Sequence, residues 1–167
     1  MFHTLKEFAH AWEPEIESTQ KILKHLTNAS LSQAVTADGR TLGRLAWHIT
    51  TAIPEMMSRI GLRISEPDPE SPVPATAKEI FHAYNTAAIG LLDQIKEHWT
   101  DESLKVFDDM YGEKWTRAAT LRTLIYHQIH HRAQMTVLMR QAGLRVPGIL
   151  GPAREDWAKM GMEPPAV

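Results

Sequence analysis

Four stretches of this chain repeat their apolar residues every third or fourth position, and the residues between them are of the kinds that stop helices. A strand would alternate every second residue, so the pattern confines the chain to helices that each bury one face. In the first stretch, Phe2 to Leu26, the stripe is Leu5, Phe8, Trp12, Ile16, Thr19, Leu23 and Leu26. Pro14 lies inside it, and because proline lacks an amide donor and crowds the preceding turn, the reading is a helix bent there or one that starts near Glu13. Residues 28–39 are polar and turn-rich, with Asp38-Gly39 as a turn and Thr41 as the N-cap of a second helix running from Leu42 to Gly61. Pro67, Pro69, Pro72 and Pro74 make residues 65–74 an extended crossover. Thr76, with Glu79 three residues on, opens a third helix whose inner face is Ile80, Tyr84, Ala87, Leu91 and Ile95, and which stops near Trp99. From Asp101 to Thr116 the periodicity fades; Met110 to Trp115 resembles an irregular or hairpin-like excursion, and no element is assigned. The fourth helix spans Arg117 to Ala142 and closes at Gly143, followed by a coil with a short turn around Glu155 to Met160.

At 167 residues the chain is one domain's worth, so residues 1–167 are read as a single all-α domain, a four-helix bundle with a long proline-rich crossover between helices 2 and 3 and a tail from about 143 to 167 packed on the bundle. Eighteen Lys and Arg against twenty Asp and Glu leave a net charge of −2, too little positive charge to compete for a phosphate backbone, so nucleic acid is excluded as a partner. No run reaches the ~18 consecutive apolar residues of a membrane span, and residues 1–7 lack the basic start and apolar run of a secretion signal, so the expectation is a cytoplasmic protein with no membrane partner. Cysteine is absent, which removes disulfides, thiolate-bound metal and a cysteine nucleophile together.

Any metal site must then use His, Asp or Glu, and there are nine histidines. The fourth stretch reads Tyr126-His127-Gln128-Ile129-His130-His131-Arg132-Ala133-Gln134. His127 and His131, four apart, lie on one helical face about 5–6 Å apart at Cβ, a spacing that lets both hold one ion. On a helical projection both fall at the edge of the apolar stripe set by Leu121, Leu124, Met135 and Met139, whereas His130 faces solvent. The same projection of the second helix brings His48 to its own stripe edge. Three neutral imidazoles from two helices leave an open coordination position, which is what catalysis on a small molecule needs. A divalent ion there would acidify a bound water, hydroxyl or thiol. Imidazole donors suit zinc, nickel, iron and manganese alike.

Each of these residues has an ordinary alternative. An HxxxH pair arises by chance, and Gln128 stands where a zinc-protease motif would need Glu. Glu55, on the His48 side of its helix, is read as a supporting carboxylate or general base, or simply as an exposed helix glutamate; Gln134 is a second candidate helper. His3, His10, His25, His82 and His98 have no partner at metal spacing and read as surface residues. Trp47, Trp99, Trp115 and Trp157 either line a pocket or fill core and interface.

The string HQIHHRAQM resembles the H-x-x-x-H-R-G-Q signature of the DinB/YfiT-like family, and LGRLAWHIT its second-helix segment carrying the other ligand. The Trp115-Thr116-Arg117 lead and the run Gly143 to Pro152 resemble that family as well, so the likeness covers essentially the whole chain; Ala133 replaces the usual Gly. The resemblance implies up-down-down-up helix order and one divalent metal, commonly zinc or nickel, held by His48, His127 and His131. It also implies a homodimer, with relatives that include thiol S-transferases, isomerases and hydrolases. The function expected is therefore a metal-dependent transferase or hydrolase. The competing readings are a non-catalytic, metal-binding, stress-associated dimeric bundle and a bundle whose three histidines are polar core-edge residues.

Overall fold

The computed structural model describes residues 1–166. Four long helices carry it: α1 (Leu5–Leu23), α2 (Leu42–Arg59), α3 (Ala77–His98) and α4 (Arg117–Gln141). α1 and α2 each pack against both α3 and α4, so the four surround one apolar core that includes Phe8, Trp12, Ile49, Ile53, Tyr84, Leu121, Leu124 and Met135. Among the described residues no helix is long and apolar enough to cross a membrane.

Threonine caps every long helix. Thr4, Thr41, Thr76 and Thr116 each accept a hydrogen bond from the amide three residues on, and Glu7 and Glu79 complete capping boxes on α1 and α3. The Thr4 cap sets the start of α1 at Leu5, so a start near Glu13 is wrong: the helix runs unbroken through Pro14. Pro14 is exposed, and so is His10, whose carbonyl it deprives of a donor, a setting in which water can replace the lost bond.

Residues 101–116, where the helical period fades, are ordered. A short 3-10 turn, Asp101–Lys105, leads into a two-stranded antiparallel hairpin of β1 (Phe107–Met110) and β2 (Glu113–Thr116), with Phe107 opposite Thr116 and Met110 opposite Glu113. Its two-residue turn is Tyr111-Gly112, both with positive φ (59° and 87°), which Gly tolerates and Tyr adopts only against steric resistance. With strands of four residues, the period-two signal is too brief to read from sequence. Of the tail, Val146 enters the core, and Asp156 gathers Arg145 and the amides of Gly148 and Ala153.

Three buried polar ties cross the bundle. Trp12 Nε1 donates to Ala88 O (3.0 Å) between α1 and α3, and Gln128 Nε2 donates to Ile49 O (2.7 Å) between α4 and α2. Arg132 donates to Glu15 Oε2 (2.6 Å) and Thr19 Oγ1 (3.1 Å) between α4 and α1.

Candidate metal centre

Two of these ties sit next in sequence to the histidines. Gln128 follows His127, its acceptor Ile49 follows His48, and Arg132 follows His131. The rotation of α4 about its axis is thus set by hydrogen-bonded groups adjacent to each imidazole, and so is its register against α2. Misplacing α4 by one residue would leave Gln128 and Arg132 buried without partners, at a cost of ~1–3 kcal/mol for an amide and more for a charge.

The result is a compact triangle. The rings of His48, His127 and His131 have centroids 4.5 to 4.7 Å apart in all three pairings, packed edge to face. One ligating nitrogen from each lies within 4.8 Å of the others. His127 Nε2 and His48 Nε2 are 3.0 Å apart. Two imidazole nitrogens each about 2.1 Å from one ion would sit about 3.0 to 3.4 Å apart for angles from perpendicular to tetrahedral, so the His48–His127 pair is at the spacing of two ligands to one divalent cation, with His131 close enough to supply a third donor. His131 Nδ1 is bonded to Gln134 Oε1 at 2.7 Å, which leaves Nε2 for the cluster. Gln134 is itself oriented by its amide nitrogen, 3.2 Å from His130 Nε2. His127 Nδ1 is buried with no partner in the protein.

Burial pushes the imidazoles of His48 and His127 down to about 4, with neighbouring histidines and Arg40 adding to the effect. His131 is lowered as well, first by burial, with the Gln134 contact acting the other way. All three are therefore neutral near pH 7, the form that donates a lone pair to a metal.

Two cavities reach this triangle. One, of about 450 Å3, is lined by Val35, Arg40, Leu45, His131, Val137 and Leu138 among others. The other, about 270 Å3, lies on the His48 and His127 side and includes Arg44, Thr51, Glu55, Glu70 and Tyr111. Glu55 thus shares a cavity with His48 and His127, and both its oxygens are engaged. Oε1 accepts from Arg59 Nε at 2.6 Å and Oε2 from Tyr111 Oη at 2.7 Å. Arg59 also lies over the Tyr111 ring, 4.4 Å from its centroid, and burial followed by Glu55 pushes the phenol up to about 12, so it stays protonated.

His130 is exposed, as are His3, His10, His25, His82 and His98. Trp47 and Trp99 are core residues, and none of Trp47, Trp99, Trp115 and Trp157 lines either cavity. Sequence reasoning missed Arg40 and Tyr111. Arg40 lies in a turn-rich stretch, and Tyr111 is brought to Glu55 only by the hairpin.

The model of the DinB family matches residues 1–165. The protein YrdA of Bacillus subtilis (strain 168) is 46% identical over 167 residues, the full length of both chains. The crystal structure of a DinB-like protein from Bacillus cereus ATCC 10987 superimposes with a TM-score of 0.86 at 46% identity, covering 89% of this chain and 99% of that one. A second DinB-like protein, YjoA from Bacillus subtilis, is similar in fold alone, with a TM-score of 0.63 at 18% identity over 82% of this chain and 92% of its own.

Proposed function

The chain belongs to the DinB family, and from that premise we propose that it is a divalent-metal-dependent enzyme acting on a small molecule, of the thiol S-transferase or hydrolase type. The observation that carries this reading is the convergence of three neutral imidazoles from α2 and α4 at the meeting point of two cavities. In this reading the helices follow up-down-down-up order, joined between α2 and α3 by the proline-rich segment, and the protein works as a cytoplasmic homodimer.

His48, His127 and His131 hold the ion, zinc or nickel ahead of iron or manganese, as three imidazole donors suit. When bound, such an ion supplies Lewis acidity, making a water or substrate thiol nucleophilic near neutral pH. Gln134 accepts the Nδ1 proton of His131 and so fixes the tautomer that offers Nε2. Tyr111, protonated and held by Glu55, is a hydrogen-bond group on the wall of the smaller cavity, and Glu55, with both oxygens taken, orients it. A non-catalytic bundle calls for a closed coordination sphere, and the two cavities weigh against that alternative.

The test is the metal content of untagged protein purified without added metal or chelator, beside His131→Ala. About one equivalent in the wild type and far less in the variant is expected. The active preparation is then surveyed for thiol conjugation and for ester and amide hydrolysis. Equal, near-zero content in both proteins after incubation with zinc and nickel would remove the enzyme reading, and so would loaded protein whose every rate stays at the His131→Ala background.

A further inference from the structure

The larger cavity carries a feature that metal binding does not use. Among the described residues Arg40 is the one charged residue on its lining, which it shares with the aliphatic side chains of Val35, Leu45, Val137 and Leu138. Among the described residues Arg40 takes part in no ion pair and no side-chain hydrogen bond. Arg40 shares this lining with His131, so the guanidinium borders the histidine cluster. Val35 and Val137 are 65% and 53% exposed, an apolar surface that a ligand's hydrocarbon would cover. The volume of about 450 Å3 lies towards the small end of the ~300–1,000 Å3 usual for ligand sites. The neighbouring cavity differs in kind, because its lining sets two carboxylates, Glu55 and Glu70, beside Arg44. An unopposed cation beside apolar walls occurs on the His131 side.

We infer that this cavity binds a small monoanion with an apolar body, a short aliphatic or aryl carboxylate, with its carboxylate on Arg40 and its hydrocarbon against Val35, Leu45, Val137 and Leu138. A planar guanidinium matches a carboxylate with two parallel hydrogen bonds, a geometry neither an amide nor an alcohol reproduces. The assignment of such a carboxylate as substrate rests on the metal-enzyme reading; its binding does not, since Arg40 needs no ion to hold it.

The probe is hexanoate, titrated calorimetrically into full-length protein stripped with chelator and again after zinc loading, with acetate and hexanamide as controls. Hexanoate is expected to bind stripped protein at least tenfold more tightly than either control. Arg40→Gln abolishes the preference over hexanamide. Val137→Glu, at an exposed helical position where folding is preserved, weakens hexanoate at least fivefold, with the melting curve confirming the fold. The inference is overturned if hexanoate binds no more tightly than acetate, or if Arg40→Gln leaves its affinity unchanged. It is overturned equally if binding appears only after zinc loading and vanishes in His131→Ala, because the carboxylate would then be an ion ligand. A failure of the metal reading looks different: zinc is not taken up while hexanoate still titrates.

Discussion

Replacing Arg132 by Met isolates the group that locks α4 onto α1. Arg132 is 3% exposed and Glu15 7%, and they meet at 2.6 Å with Thr19 Oγ1 a further 3.1 Å contact. Met fills most of the volume of the arginine stem, so the packing loss is small and the electrostatic loss dominates. Glu15 is then a carboxylate in the core with its cation gone, a situation that costs about 3–5 kcal/mol, against a total stability of about 5–15 kcal/mol for a typical domain. The double variant Glu15→Leu/Arg132→Met removes both charges and is expected to return to within about 1–2 kcal/mol of wild type, since a buried pair offsets little more than its own desolvation. Urea unfolding at pH 7, followed by far-ultraviolet circular dichroism, reads both values, provided the slope against urea is unchanged. A single-variant loss below about 1 kcal/mol, or a double variant as unstable as the single one, would refute the claim that an uncompensated charge is what the pair prevents.

Gln134→Leu is expected to weaken metal binding about 10–100-fold, as loss of an imidazole's orienting partner does. Stability should change by less than about 0.5 kcal/mol because Gln134 is exposed, and an unchanged affinity in a competition titration would show that the Nδ1 contact does not select the tautomer. The ion-free protein should lose stability on acidification. The folded-state values of His48 and His127 lie below the unfolded ones, so the unfolded chain binds more protons, and the contribution is full above about pH 6.5 and lost as pH falls towards about 4. Both rings are partly solvated, so the combined effect is on the order of 2 kcal/mol after screening. The check is the urea midpoint of chelator-treated wild type minus that of His48→Ala/His127→Ala, and a difference that stays flat from pH 7 to 4.5 would contradict it.

Helices were legible because burial of one face imposes a period that runs over many turns, and because α2 and α3 begin at Thr41 and Thr76, whose side chains meet a free amide; the same caps at Thr4 and Thr116 went unread. The same logic explains the failures. β1 and β2 are too short for alternation to show, and their identity is set by the Tyr111-Gly112 turn, in which Tyr occupies a place usually given to Asn, Asp or Gly. At Pro14 the proline rule misled, because the cost of a lost helical hydrogen bond depends on whether water can reach the freed carbonyl, which is a tertiary property.

The histidine triangle was readable from spacing on two helices, whereas the groups that aim it were not recognised although their signal was present. Stepping along α4 from Leu121 and Leu124, the next positions on the buried stripe before Met135 and Met139 are Gln128 and Arg132. A polar residue at a core position is a question about its partner, and both answers lie on other helices: the Ile49 carbonyl of α2 and the Glu15 carboxylate of α1. Glu15 stands in the same relation to α1, three residues after Trp12 and one before Ile16, and it too is buried. Two opposite charges on the apolar stripes of two helices therefore mark a pair before any coordinates are known, since neither is tolerable there alone. In this chain such polar ties lie one residue from the histidines. The bundle's most exacting packing constraints thus fall where three imidazoles must point at one another, and α4 cannot slide or roll without breaking a buried hydrogen bond first.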